Sequence, residues 1–171
     1  MDWPDALTNL KSGEQNKYFN RYLQQHPEEL PELIKAISHA EPKIAWRAAW
    51  VVDNLARKER HLVDPYLPQL TEIVLKTPHQ GVHRHITNIL RMTDPANIDN
   101  GHLIDACFHW MTYSETPVAV QANAMEIIAN LCTIYPELAN ELISIIETGF
   151  EMGSAGYRSR AKKILSKLKK T

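Results

Sequence analysis

The sequence predicts an all-α fold, a right-handed superhelical stack of about four helical hairpins behind an N-terminal helical cap, and three observations carry that prediction. Glycine is scarce, and no stretch alternates apolar and polar residues between turn signals, so strands have no support. One apolar pattern returns four times, at steps of 38, 38 and 37 residues. A second helical run stands upstream of each copy, separated from it by proline or glycine.

The repeated pattern is Ile44, Ala48, Val51, Val52, Leu55, then Val82, Ile86, Ile89, Leu90, Thr93. It returns as Val120, Ala124, Ile127, Ile128, Leu131 and as Tyr157, Ala161, Ile164, Leu165, Leu168. Offsets of four, seven, eight and eleven residues put each set on one stripe of an α-helix. The upstream runs are Leu30, Leu33, Ile34, Ile37; Leu67, Leu70, Val74; Leu103, Ile104, Cys107, Phe108, Met111; and Leu138, Leu142, Ile143, Ile146. Turns fall at Glu41 and Pro42, at Thr77 and Pro78, at residues 114–117 and at residues 149–156. Such a hairpin cannot hide its apolar stripe alone, so the units stack on one another. The expected layout is a single domain: a cap over residues 1–26, carrying Trp3, Leu7 and Leu10 on one helix and Tyr18, Phe19, Tyr22 and Leu23 on a second, then repeats over 27–60, 61–98, 99–134 and 135–171.

Composition narrows the function. The 171 residues are 44% hydrophobic, an ordinary globular fraction that argues against disorder. No run of about 18 apolar residues exists to span a membrane, and the N-terminus lacks a signal-peptide layout, so a cytoplasmic protein with no membrane contact is expected. Cys107 and Cys132 sit among apolar helical positions without CxxC spacing and are expected to be buried free thiols. The formal net charge of -1 disfavours nonspecific nucleic-acid binding by the whole molecule. Charge is nonetheless segregated: residues 99–153 hold eight acidic and no Lys or Arg residues, and residues 154–171 hold seven basic and no acidic ones.

The period, the paired helices, the proline between them and the small residue within the second helix resemble the HEAT family over about residues 27–171. Armadillo repeats, the nearest alternative, usually add a third short helix for which the turns here leave no room. The arginine that the HEAT family favours just after the first apolar residue of the second helix has Ala45, His83, Gln121 and Arg158 in its slots, so an Asp–Arg series along the stack is not expected.

The resemblance implies that the second helices line a concave side, and the helical period then names the residues facing it. They are Trp46, Trp50, Asp53 and Arg57, flanked by Arg47 and Asn54; Arg84, Asn88 and Arg91; Ala122, Glu126, Ala129 and Thr133; and Ser159, Lys163, Ser166 and Lys170. Two tryptophans one turn apart beside arginines have the composition of a protein-interface hot spot. Trp46, Arg47, Trp50, Asp53, Arg57, Arg84, Asn88 and Arg91 are therefore the expected contact residues for another protein. A competing reading packs Trp46 and Trp50 under Tyr18 and Tyr22 of the cap.

Other motifs give less. His79, His83 and His85 form a small cluster in which His79 and His83 have the spacing of helical metal ligands, but no third ligand stands at the spacing of a zinc-protease motif, so surface histidines and no metal are expected. The basic last helix has its apolar stripe in the repeat register, which commits that side to the stack. Phosphate loops, GxSxG and Cys/His nucleophile patterns are absent, so neither enzymatic chemistry nor a cofactor is expected. The functional expectation is a protein-interaction scaffold. The alternative is a nucleic-acid-binding protein resembling the HEAT-like alkylpurine DNA glycosylases, whose concave Trp, Asp and Arg are imitated by Trp46, Trp50, Asp53, Arg84 and Arg91.

Overall fold

The structure, a computed structural model, describes residues 1–169; Lys170, assigned above to the last open stripe, lies outside the described residues. Among those residues the chain is helical throughout, with no strand. It divides into two compact units, Met1–Ile89 and Leu90–Thr171.

The first unit begins with α1 (Trp3–Thr8) and α2 (Gly13–Gln25). Asp2 caps α1 through the Asp5 N–H, and Ser12 with Gln15 forms a reciprocal capping box on α2. Proline sets the next starts. A 3-10 turn at Pro27–Glu29 leads into α3 (Leu30–Ala36), and α4 (Pro42–Ala56) opens on its proline. The second repeat departs from expectation. Its upstream run is not one helix but α5 (Arg60–Val63), a 3-10 turn at Asp64–Tyr66 and then α6 (Leu67–Lys76). Pro65 and Pro68 cannot donate to a continuous α-helix, so the chain restarts at each. The short third helix for which the turns were expected to leave no room is thus present as α5. Helix α7 (Gln80–Arg91) follows, and the division between the units falls within it.

Helix α4 is the centre of the first unit, packed against α1, α2, α3 and α5. Its apolar stripe is fully buried, and Ala45, Ala48, Ala49 and Ala56 let the neighbours approach closely. In the cap, Trp3 is buried edge-on to Phe19 and Tyr22, while Asn20 donates from Nδ2 to the Val51 carbonyl at 3.1 Å. Tyr18, expected within the cap, is 55% exposed.

The second unit holds α8 (Gly101–Thr112), α9 (Val118–Leu131), α10 (Leu138–Phe150) and α11 (Ala155–Leu168). Asn100 and Ser154 cap α8 and α11. Helix α9 is the centre here, between α8, α10 and α11, and Val120, Ala124, Ile127, Ile128 and Leu131 are all buried. Tyr157, Ala161 and Ile164 continue that core on α11, whereas Leu165 and Leu168 are half-buried. Cys107 is buried and burial pushes its thiol far up; Cys132, also expected to be buried, is half-exposed at the end of α9.

Candidate functional site

Trp46 and Trp50 are one turn apart on α4 and turned away from its buried stripe. Their rings stack with centroids 6.0 Å apart and 27° between planes. Both are half-buried. The competing expectation placed them under Tyr18 and Tyr22, but Tyr18 pairs with Phe19, and Tyr22 with Trp3 and His26.

The base of this pair is rigid on two sides. Arg47, expected on the open flank, is instead buried: its Nη1 donates to the carbonyls of Leu7 and Thr8 at 2.9 Å each. The last turn of α1 offers carbonyl oxygens, and a cation is the side chain best suited to meet them. The Arg47 guanidinium also lies 5.7 Å from the Trp46 ring centroid, a cation–π distance. From the other side, α7 closes on α4 at Gly81. A Cβ there would stand 3.1 Å from the Trp46 Cβ and 2.9 Å from His79 Cε1, so only glycine leaves the approach open.

Asp53 and Asn88 also depart from expectation. Both were placed on the open face, and both are buried, Asp53 to 2% exposure. Asp53 Oδ1 accepts from Asn88 Nδ2 at 2.6 Å and from Arg57 Nε at 3.2 Å, while Oδ2 accepts from His85 Nδ1 at 2.9 Å and from Arg57 Nη2 at 3.2 Å. Burial alone would raise the Asp53 pKa, but the bonds from His85, Arg57 and Asn88 outweigh it and hold the carboxyl below its ordinary 3.8. With both oxygens doubly engaged, Asp53 clamps α4 to α7 from inside. The clamp replaces the open carboxylate that the repeat pattern suggested.

The histidines are structural too. His79 Nδ1 accepts from the Gly81 and Val82 N–H groups at 3.0 and 3.4 Å, which caps the start of α7. His83 Nε2 donates to the Thr77 carbonyl at 2.8 Å. Burial lowers the His83 pKa from its ordinary 6.5, and its bond to Thr77 offsets part of that shift. Among the described residues no group of three His, Cys, Asp or Glu side chains could hold a metal ion.

Trp46 and Trp50 on α4 are thus half-buried, and Arg57 on α4 and Arg84 on α7 are exposed. Arg91, at the end of α7 and within the second unit, is ion-paired with Glu126 at 3.1 Å. Gly81 matters here and escaped the sequence reading, while His85, expected as a surface histidine, is instead largely covered and bound to Asp53.

Tandem helical hairpins with a recurring buried stripe and small residues inside each second helix define a helical-repeat protein. A family model described as a HEAT repeat domain matches residues 4–168, nearly the whole chain, and the chain belongs to the HEAT repeat family. It takes in the cap, which the period alone did not align. Neither the comparison with curated proteins nor that with solved structures found a match. Among the described residues no helix is long and apolar enough to cross a membrane.

Proposed function

We propose that this chain is a non-enzymatic scaffold that binds another protein through the α4 and α7 surface of its first unit. The carrying observation is the stacked, half-buried Trp46 and Trp50 pair, fixed from below by Arg47 and at its edge by Gly81. A rigid aromatic platform loses little conformational entropy when it is covered, and the same two helices carry the exposed guanidiniums of Arg57 and Arg84. Membership of the HEAT repeat family supports the scaffold reading.

The nucleic-acid alternative rests on an aspartate presented to the duplex beside tryptophan and arginine. Asp53 is engaged by three side chains, and this favours the scaffold reading.

The test is a matched pair of baits, wild type and Trp50→Ala with Arg84→Ala. The two side chains are half-buried and exposed, so the variant keeps a cooperative melt close to that of the wild type. A partner identified on the wild-type bait should bind the variant at least about thirtyfold more weakly, the loss of a hot-spot residue of about 2 kcal/mol or more. Unchanged affinity for that partner means that the surface is misassigned. Binding of duplex DNA that weakens steeply with salt would instead favour the alternative.

A further inference from the structure

A cleft of about 590 Å³ opens within the first unit, between the turn joining α3 to α4 and the turn joining α6 to α7. That volume falls in the range of small-molecule sites, roughly 300–1,000 Å³. Ile37, Ala40, Pro42, Ala45 and Ile73 give it apolar walls, and one histidine from each turn, His39 and His79, lines it. The two rings are held alike. His39 Nδ1 accepts from the Glu41 N–H at 3.0 Å, just ahead of α4, and His79 Nδ1 accepts from the Gly81 N–H at 3.0 Å, at the start of α7. A ring nitrogen that accepts carries no proton, so each neutral imidazole holds its proton on Nε2. Both rings are thereby donors to an occupant of the cleft, and neither has a lone pair left for a metal ion.

The charged groups of the cleft narrow the acceptor. Lys35 and Lys76 line it and are exposed, each paired with a carboxylate of its own helix, Lys35 with Glu32 at 3.7 Å and Lys76 with Glu72. Such exposed pairs are worth little, so either ammonium can turn to a better-held acceptor. Glu72 also lines the cleft and opposes a second negative charge on the occupant. A carboxylate meets these conditions: it offers two oxygens to two ring N–H groups, its charge-assisted bonds are stronger than those of a neutral carbonyl, and it bears one charge only. The aliphatic walls then suit an apolar body beside that group.

We propose that this cleft binds a monocarboxylate with an apolar body, supplied either by a free organic acid or by the carboxyl end of an apolar peptide. Neither Trp46 nor Trp50 lines the cleft, so its occupancy is tested separately from partner capture by the α4 and α7 surface.

The full chain is titrated, with amide chemical shifts as the readout, against 4-phenylbutyrate, 4-phenylbutyramide and N-acetyl-trileucine with a free carboxyl end. Saturable shifts with the two carboxylates, concentrated in the two turns and on α6, are expected, and the amide should bind at least about tenfold more weakly than the acid. His39→Asn with His79→Asn keeps an acceptor oxygen where each Nδ1 stands but removes the Nε2 donors. The melt should therefore stay close to that of the wild type, while both carboxylates bind at least about tenfold more weakly. Lys35→Gln with Lys76→Gln, which alters two exposed side chains, should weaken the acid about threefold or more and leave the amide unchanged. His61→Asn, outside the cleft, should stay within about twofold of wild type. N-acetyl-trileucine that binds more tightly than 4-phenylbutyrate assigns the carboxylate to a peptide end, and equal or weaker binding assigns it to a small acid. The proposal is overturned by the absence of saturation, by an amide that binds as tightly as the acid, or by unchanged affinity in the double histidine variant.

Discussion

At the scale of single residues, Asp53 shows how a polar side chain on the outer arc of a helix can be structural. Its position opposite Val52 and Leu55 is visible in the sequence, as is Arg57 one turn on, but depth is not. Depth depends on how far α7 tilts onto α4, and Gly81 sets that approach. The same holds for Arg47, whose burial depends on α1 lying over it, a contact about 40 residues away in the chain. Asp53→Ala removes the acceptor shared by Asn88, His85 and Arg57 and should cost about 3 kcal/mol of stability, measured by urea denaturation; a loss under about 1 kcal/mol would mean the clamp is solvated and weak. The acid response has two steps. His83 has a lowered folded pKa, so its contribution is complete above 6.5 and is lost as pH falls below that value. Asp53 also has a lowered folded pKa, so its contribution survives to about its ordinary 3.8 and is lost below it. A melting-temperature titration should therefore begin to fall below pH 6.5 and steepen below 3.8. His83→Gln should flatten the first step, and an unaltered profile in that variant would remove His83 from the account.

At the scale of elements, the apolar stripes were legible because helical period and burial are the same signal. Every stripe residue of α4, α7 and α9 is buried. The break between α5 and α6 was less legible: Pro65 and Pro68 announce an interruption, but whether the chain turns once or becomes a separate helix depends on what α4 offers it to pack against. The turn from α10 to α11 reads as loose glycines and is in fact tight. A Cβ at Gly153 would stand 2.5 Å from Tyr157 Cδ1, and one at Gly149 would stand 2.6 Å from Tyr157 Oη. Both glycines seat a buried ring, and neither needs an unusual backbone conformation. Gly153→Ala should destabilise the chain by about 1–3 kcal/mol through the displaced ring. Gly13→Ala, where nothing lies within 4 Å of the added carbon, should be neutral or stabilising by up to about 1 kcal/mol. Equal effects at the two positions would show that Tyr157 swings aside freely.

At the scale of the whole molecule, stability in a repeat protein is close to a sum of repeat terms and neighbour terms, so a helix packed on several sides should open last. In the first unit that helix is α4, which contacts α1, α2, α3 and α5, and in the second it is α9, which contacts α8, α10 and α11. Eight residues of α9 are buried, from Val120 to Leu131, against three of α11 and two of α10. Opening α10 or α11 thus exposes little apolar surface, whereas opening α9 strips the unit of its core. Amide hydrogen exchange followed by mass spectrometry should find the slowest peptides of each unit in α4 and α9. Those of α10 and α11 should exchange earlier and respond less to urea, because their opening is local. Protection in α10 and α11 equal to that in α9, with the same urea dependence, would mean that the second unit opens as a single block, and the ranking by buried neighbours would then fail.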